Sequence, residues 1–411
     1  MTSRIAVIGG AYGESCAFPR RLIYRGSGFR AASTLAGLGS SVTLHTAVGP
    51  KLGQIFKELA KRLQFQISVH ARKQDIWFRY QHPLAKPEIF PSSYHKVQLQ
   101  EIQTDRALVF GMIEGRHRVD ARDVVYDPQD GSRALPFTSD GSKAARLAMV
   151  VSYSEGVALT SKSEPGQIAR SLLDLKSVHA VVVKCGPIGA LVATKVKSAW
   201  IRAFTTAHVY KIGSGDVFSA AFAHSLLTER RNPFESAWFA SRMAAAYVET
   251  EKDQHKSSDV LVWRQEAHAA STRYLRSRKR KIPRKQIYLA GPFFSTAQQW
   301  LVDECRSALS DMGFNVFSPI HDVGSGEDSF VAESDLRGLR KSAVVLAILD
   351  GKDVGTVFEI GYAKALRIPV VVVAEDLTGS SLTMIAGTGC EVASDLCSAL
   401  YKVCWFVMGD V

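Results

Sequence analysis

The fold of the carboxyl-terminal part is decided by residues 343–363, which read AVVLAILDGKDVGTVFEIGYA. The first seven residues are all apolar, which is typical of a strand that is covered on both faces in a parallel sheet. A turn with two acids and two glycines follows (350–356), and residues 357–365 then have a helical pattern. Strand, turn and helix in this order indicate an α/β fold, with polar groups at the carboxyl end of the strand.

The same alternation continues on both sides of this stretch. We expect strands and helices at the following places: strands Ile287–Ala290, Asn315–Ser318 and Val370–Ala374, and helices Thr296–Met312 and Ser334–Arg340. The pattern predicts a doubly wound parallel sheet over residues 287–411. Ligands of such sheets bind beyond the carboxyl ends of the strands, so we expect Gly291–Ser295, Asp350–Thr356 and the loop after Asp376 to form one crevice.

Residues 1–265 contain a second α/β alternation. We expect these elements: strands Ile5–Gly10, Ser41–Val48, Ala180–Lys184 and Ala190–Ala193, and helices Ala31–Gly39 and Val217–Leu227. Residues 76–92 are rich in aromatic residues and proline, which favours edge strands or a flap over a core element. The chain is therefore predicted to contain two α/β domains.

A run of basic residues separates the two patterns and supplies most of the net charge of +12. Its members are Arg273, Arg276, Arg278, Lys279, Arg280, Lys281, Arg284 and Lys285. Such a run can be an extended linker or a site for nucleic-acid phosphates. It contains Pro283 and a single aromatic residue, Tyr274, so we favour a linker at 266–286 and expect no nucleic-acid partner.

The composition excludes several classes of protein. The chain has 411 residues, of which 46% are apolar and 22% charged, as in globular proteins with two or three domains. No apolar run reaches the roughly 18 residues that a membrane helix needs. The apolar stretch in the first residues, MTSRIAVIGGAYG, is too short for a signal peptide. Six cysteines without a CxxC pair indicate reduced thiols and a cytoplasmic location.

Three acidic residues in and after the turn 350–356 are candidates for a catalytic site. Asp350 follows the buried strand, Asp353 lies in the turn, and Glu359 lies in the first turns of the helix. A carboxylate near a helix N-terminus is stabilised as the anion, which suits a nucleophile, and a second carboxyl with a raised pKa can act as an acid. Such a pair is what retaining cleavage of a glycosidic bond requires. The alternative is that the acids cap turns and face water.

Three motifs together, YLAGPFF (288–294), ESDL (333–336) and DGKDVGTVFEIGYA (350–363), resemble those of the nucleoside 2-deoxyribosyltransferases. The resemblance covers residues 287–376. It implies a flavodoxin-like fold, a homo-oligomer (a dimer or larger), a nucleoside or nucleotide substrate, and no cofactor for this half. It also implies that Glu359 attacks the anomeric carbon of the sugar and forms a covalent glycosyl-enzyme.

The resemblance assigns roles to further residues. Asp353 would assist proton delivery to the departing base, Asp335 would contact base or sugar, and Tyr288 would orient Glu359 by a hydrogen bond. The residues implied to bind the substrate are Gly291, Pro292, Phe293, Phe294, Asp350 and Gly355, with the two phenylalanines flanking the base.

The motifs leave the fate of the intermediate open, since another base or water can capture it. Related nucleotide N-hydrolases bind a 5′-phosphate through serines, and Ser295 and Ser380–Ser381 would suit such a site. The polar stretch Asp322–Ser329 is either a lid or a surface loop.

The amino-terminal half has a glycine-rich turn, IGSGDVF (212–218), that opens an apolar helix. Such a turn directs backbone amides toward a phosphate, and an aspartate behind it can accept a proton from a hydroxyl. The turn follows VIGGAYG (7–13), GSGFRAASTLAGLG (26–39), SYSE (152–155) and KCGPIGA (184–190). In this order the motifs resemble the ribokinase-like (PfkB) kinases over about residues 1–250. The resemblance implies an α/β sandwich that uses ATP and Mg²⁺.

By this resemblance Asp216 would be the catalytic base and Gly213, Ser214 and Gly215 the anion hole for the cofactor. Glu155 would belong to the magnesium network, and the stretch HPLAKPEI (82–89) falls where such kinases carry a substrate lid.

The sequence departs from this family at four positions: Tyr210 and Lys211 stand where Asp-Thr is usual, and Arg30 and Ser152 where asparagines are expected. Two alternatives follow. The half is an active sugar or nucleoside kinase, or it is a non-catalytic sensor of a nucleotide or sugar phosphate that regulates an N-glycoside hydrolase. In the second case Arg30 and Lys211 would favour a phosphorylated ligand.

Overall fold

The computed structural model describes residues 4–273, 282–375 and 382–410. The chain divides into two compact units, one of residues 1–204 and 211–279 and the other of residues 205–210 and 280–411. The helix Ser257–Arg273 includes the first part of the predicted linker 266–286. Most of the basic run, from 274 to 281, lies outside the described residues, as do Asp376 and Ser380–Ser381.

The N-terminal unit alternates strands and helices as expected. Its strands are β1 (Arg4–Ile8), β2 (Tyr12–Cys16), β3 (Arg21–Arg25), β4 (Ser41–Val48), β5 (Gln66–Ala71), β6 (Trp77–Tyr80), β7 (Glu88–Phe90), β8 (Val97–Gln98), β9 (Ile102–Phe110), β10 (Gly115–Arg116), β11 (Val119–Asp127), β12 (Lys143–Ser152), β13 (Val178–Lys184), β14 (Ala190–Thr194) and β15 (Ser198–Ile201). Its helices are α1 (Ser27–Gly37), α2 (Pro50–Arg62), α3 (Tyr153–Thr160), α4 (Pro165–Leu173), α5 (Ser214–Ala223), α6 (Pro233–Thr250) and α7 (Ser257–Arg273).

The main sheet of this unit has nine strands within the described residues, in the order β15-β14-β13-β12-β11-β9-β1-β4-β5. Pairing is parallel from β5 to β13 and antiparallel for the last two strands. One apolar cluster contains Phe29 of α1 and Phe222 of α5, and a second contains Ile168 of α4. The predicted α/β sandwich is confirmed.

A smaller sheet of the described N-terminal unit has the order β3-β2-β6-β7. Its strands β6 and β7 come from the aromatic and proline-rich stretch 76–92, so the expectation of edge strands or a flap is met. The segment 82–89 connects these two strands, and a lid function for it remains a prediction.

The C-terminal unit contains a parallel sheet of five strands within the described residues. Its elements are β16 (Gln286–Ala290), α8 (Thr296–Asp311), β17 (Val316–Phe317), α9 (Pro319–Asp322), α10 (Asp328–Arg340), β18 (Ser342–Ile348), α11 (Val354–Ala365), β19 (Val370–Val373), α12 (Thr383–Gly387), β20 (Glu391–Ala393) and α13 (Leu396–Met408). The strand order β17-β16-β18-β19-β20 is 2-1-3-4-5 along the chain, the flavodoxin-like order. The predicted fold class of this half is therefore confirmed.

Four helices begin earlier than the apolar pattern predicts. Helix α1 begins at Ser27, α5 at Ser214, α10 at Asp328 and α11 at Val354, because polar residues or glycines interrupt the apolar pattern in their first turns. The stretch 322–329 is therefore partly helical at both ends, between α9 and α10.

Candidate active sites

Helix α11 carries Glu359 and begins directly beyond the carboxyl end of strand β18. Asp353 is the N-cap of this helix, and its Oδ2 accepts hydrogen bonds from the backbone N–H of Thr356 at 2.7 Å and from its hydroxyl at 2.9 Å. Two donors on one carboxylate oxygen fix the start of the helix. The structural alternative therefore applies to Asp353, and its role in proton delivery remains a prediction.

Tyr288 lies in the middle of β16, is fully buried, and donates a hydrogen bond from its hydroxyl to Oε1 of Glu359. This is the contact that the sequence comparison implies. Burial raises the pKa of Glu359 to about 7, the charges of Asp335 and Asp353 add to this rise, and the bond from Tyr288 opposes it. The sequence analysis expected the helix N-terminus to stabilise the anion of Glu359, whereas the largest effect on its pKa is the rise caused by burial.

Asp335 is brought to the same place by helix α10. Its carboxyl is partly buried, which raises its pKa to about 6, and its charge acts on both Glu359 and Tyr288. The buried Oδ1 atom of Asp335 has no hydrogen-bond partner within the described residues. An unpaired buried carboxyl oxygen is costly, and a ligand that hydrogen-bonds it removes that cost.

The expected substrate-binding residues follow strand β16. Pro292 is buried, whereas Phe293 is partly buried and Phe294 is 73% exposed, with the two rings 5.0 Å apart. At Gly291 a Cβ would lie 3.1 Å from the side chain of Ile348, which explains the small residue. A partly exposed aromatic pair suits a flat ligand such as a nucleobase.

One further acid and a serine, both among the expected site residues or their neighbours, stabilise local backbone structure. Asp350 accepts a hydrogen bond at Oδ2 from the backbone N–H of Glu375 at 3.0 Å. Ser295 is the N-cap of α8, and its hydroxyl accepts from the N–H of Gln298 at 3.3 Å. Gly355 is exposed and its Cβ would lie 3.1 Å from Asp353. Direct substrate contacts by these residues remain predictions.

The N-terminal unit places Asp216 in the first turn of α5, directly after Gly213, Ser214 and Gly215. Gly213 has a φ of 85°, which glycine adopts without strain. The expected strand-turn-helix context is therefore present. Burial raises the pKa of Asp216, and the guanidinium of Arg30 counteracts this rise.

Arg30 occupies the space beside this turn. Its side chain is 1% exposed and forms salt bridges with Glu14 at 2.5 Å and with Asp216 at 2.6 Å. The other oxygen of Asp216 accepts a hydrogen bond from Gln129 at 2.8 Å. A Cβ on Gly213 would lie 2.2 Å from the Arg30 guanidinium, so the two groups are in contact. Two carboxylates thus neutralise Arg30, and the expectation that it attracts a phosphorylated ligand loses its support.

Glu155 lies at the start of α3, where it forms a capping box with Ser152. Burial and the nearby Asp127 raise the pKa of Glu155 to about 7. Asp127 in turn accepts from Lys184 at 2.7 Å and from Ser219 at 2.6 Å. Glu155 and Oδ2 of Asp127 therefore already have protein partners, whereas the buried Oδ1 of Asp127 has no hydrogen-bond partner within the described residues.

To hold ATP and Mg²⁺, the residues around Asp216 and Glu155 would have to be free to bind them. Within the ranges that the structure describes, no group of three or more His, Cys, Asp or Glu side chains is placed to hold a metal ion. Both oxygens of Asp216 are bonded, and the Arg30 guanidinium lies against the glycine turn. The residues present do not fit the cofactor in this arrangement, and the magnesium role of Glu155 remains a prediction.

Sequence analysis missed most partners in these clusters, among them Glu14, Gln129, Asp127, Lys184 and Ser219. Asp127, Gln129 and Lys184 lie at or just beyond strand ends, whereas Glu14 lies within β2 and Ser219 within α5. Each is a single polar residue, and no spacing distinguishes it from a surface residue.

Two other expectations concern the whole chain. The six cysteines lie in described parts of the chain and are free thiols. Among the helices that the structure describes, none combines the length and apolar character needed to cross a membrane.

Comparisons with known proteins support the two resemblances. Residues 117–260 match the sequence model of the pfkB family of carbohydrate kinases, and residues 287–395 match that of the nucleoside 2-deoxyribosyltransferases. No match was found among curated proteins.

Solved structures similar to the chain include ribokinase from Thermotoga maritima, which is 16% identical with a TM-score of 0.47 over 64% of this chain and 99% of that one. Phosphofructokinase-2 from Escherichia coli in complex with substrates and products is 14% identical with a TM-score of 0.48, over 65% of this chain and 100% of that one. By the two sequence matches, the chain carries one segment similar to the pfkB family of carbohydrate kinases and a second segment similar to the nucleoside 2-deoxyribosyltransferases.

Proposed function

We propose that the C-terminal unit cleaves or exchanges the N-glycosidic bond of a nucleoside or nucleoside monophosphate. The observation that carries this proposal is the hydrogen bond from Tyr288 to Glu359, together with the charge of Asp335, which acts on both residues. A nucleophile with a pKa of about 7 is ionised in a large fraction at neutral pH and remains reactive.

The reaction proceeds in two balanced steps. A carboxylate oxygen of Glu359 forms a bond to C1′ of the sugar, the C1′–N bond breaks, and the base leaves with the electron pair and takes a proton from a neighbouring acid. Asp353 and Asp335 are the acids of this crevice, and the unpaired Oδ1 of Asp335 favours Asp335 for contact with the base. A second base or water then attacks C1′ and releases Glu359.

The test is incubation of the full chain with a panel of nucleosides and monophosphates, with and without a second free base, followed by chromatography. Free base alone identifies a hydrolase, and a new nucleoside identifies a transferase. Glu359→Gln should abolish both products. Turnover that persists in this variant would refute the proposal.

We also propose that this unit forms a homo-oligomer. Helix α11, which carries Glu359, exposes Val354 at 82% and Phe358 at 60%, and α10 exposes Phe330 at 59%. Apolar side chains of this size near a reactive site favour contact with a second copy. Light scattering should give at least a dimer for the wild type and a smaller mass for Phe358→Ser; a monomeric wild type would contradict it.

The free cysteines support the expected cytoplasmic location.

Phosphoryl transfer by the N-terminal unit is the second activity that the family match favours. It requires Arg30 to leave Asp216, since a general base must be free to accept a proton. Turnover of labelled ATP with ribose, deoxyribose and nucleosides tests it: activity that disappears in Asp216→Ala supports a kinase, and no turnover in the wild type removes it.

A further inference from the structure

The ring of Phe317 lies against the tyrosine that contacts Glu359. Phe317 ends strand β17 and is the direct neighbour of Tyr288 across the parallel pair β16–β17. The two rings are stacked, with centroids 5.6 Å apart and planes 20° from parallel. A stacked neighbour restricts how far the Tyr288 ring can tilt away from Glu359.

Gly338 fixes the position of Phe317 from the other side. It lies in α10, three residues after Asp335, and is buried. A Cβ at this position would lie 2.4 Å from Cε1 of Phe317. The carbonyl of Gly338 also accepts a hydrogen bond from the Gln286 side chain at 3.0 Å, which holds α10 close to strand β16. Only a glycine allows this approach of the helix to the ring.

We propose that Phe317 and Gly338 are positioning residues that hold the Tyr288 hydroxyl on the carboxylate of Glu359. This inference rests on the proposed function of Glu359 and names the part of the fold that tunes it. The groups that face Glu359 are Tyr288 from β16, Asp335 from α10 and Asp353 at the start of its own helix.

The sign of the effect follows from these neighbours. The hydroxyl of Tyr288 lowers the pKa of Glu359, whereas both acids raise it. A variant that tilts Tyr288 away therefore raises the pKa of Glu359 and reduces the ionised fraction at neutral pH. Activity should fall most on the acid side and recover above the new pKa, which a merely structural defect would not produce.

The experiment measures kcat/KM for base release against pH in the full chain. We expect Gly338→Ala and Phe317→Leu each to move the acid limb to higher pH, with a loss of several-fold at pH 6 that disappears at pH 9. Gly387→Ala is the matched control, because its Cβ would meet nothing within 4 Å. In the double variant Phe317→Leu/Gly338→Ala, the further shift caused by Gly338→Ala should be smaller than in the wild type, because leucine relieves the contact between the new Cβ and residue 317.

Three outcomes are decisive. An acid limb that stays in place in both variants, or a loss that is equal at all pH values, overturns the inference. If the wild type releases no base from any substrate, the proposed function fails. In that case the pKa of Glu359 is measured without substrate, from the carboxyl signal in the infrared difference between wild type and Glu359→Gln. An unchanged titration midpoint in Phe317→Leu refutes the inference, and a raised midpoint supports it.

Discussion

Replacement of Arg30 by methionine should strongly destabilise the N-terminal unit at neutral pH. Met has a similar length but no charge, so the buried carboxylates of Glu14 and Asp216 lose their common counter-ion. Removal of one partner from a buried ion pair typically costs about 3–5 kcal/mol. For a unit of this size, a loss of that order lowers the unfolding temperature by about 10 °C.

The loss should depend on pH in a defined direction. Burial raises the pKa of Asp216 and Arg30 opposes this rise, so without Arg30 the folded-state pKa lies further above the value of about 4 in the unfolded chain. An acid with a raised folded pKa destabilises the fold above that pKa and has no effect below its unfolded pKa. The loss in Arg30→Met should therefore be large at pH 7.5 and much smaller near pH 4.5.

Calorimetry of the full chain at both pH values measures this effect. Arg21→Met is the matched control. The Arg21 side chain is 40% exposed in its salt bridge to Glu251, and exposed ion pairs contribute about 0–1 kcal/mol to stability. Asp216→Asn in the Arg30→Met background should recover part of the loss. If Arg30→Met changes stability no more than the control, or equally at both pH values, the reasoning about the buried ion pair is wrong.

The remaining predictions concern the C-terminal site. Glu359→Gln should lower base release by at least about a thousandfold, since the nucleophile is lost while substrate binding, measured by calorimetry, is retained; loss of binding as well would indicate a structural role instead. Tyr288→Phe should move the acid limb of kcat/KM to higher pH, because the bond that lowers the pKa of Glu359 is removed. Asp335→Asn should move it to lower pH, because one charge that raises this pKa is gone. Shifts of Tyr288→Phe and Asp335→Asn in the same direction would contradict this electrostatic account.

Strands β16, β18 and β19 of the C-terminal unit were predictable because they are continuous apolar runs, whereas the short strand β20 was missed. The expected strands at 287–290 and 370–374 differ from the structure by one residue at one end. The central strands β9 and β11 of the N-terminal unit were missed. Both have charged residues in their first halves, as in Arg106 and Asp123, which interrupt the apolar pattern although the second halves are fully buried.

The site was predictable to the extent that motif and geometry coincide. Glu359 and Tyr288 form the expected hydrogen bond and the charge of Asp335 acts on both, and each of the three residues lies in a recognisable motif. The state of Asp216 was not predictable, because its partners Arg30 and Gln129 are distant in sequence. Long-range pairing of buried charges depends on the tertiary fold.

Binding of a nucleoside should transfer a proton to Asp335. Free Glu359 has a pKa of about 7 and Asp335 one of about 6, so without ligand the proton is held preferentially by Glu359, which is the wrong order for a nucleophile and an acid. Asp335 is the less deeply buried of the two and has more hydration to lose when a base covers it. Its pKa should therefore rise past that of Glu359 on binding.

The proton balance of binding measures whether Asp335 takes up a proton. In the unreactive Glu359→Gln protein at pH 6.5, binding should take up about half a proton or more, because Asp335 is mostly ionised before binding and mostly protonated after it. Calorimetric titrations in two buffers of different ionisation enthalpy give this number directly. The double variant Glu359→Gln/Asp335→Asn should show no uptake. Binding without proton uptake in the single variant would mean that the base leaves Asp335 exposed to water, and Asp353 would then be the acid that protonates the base.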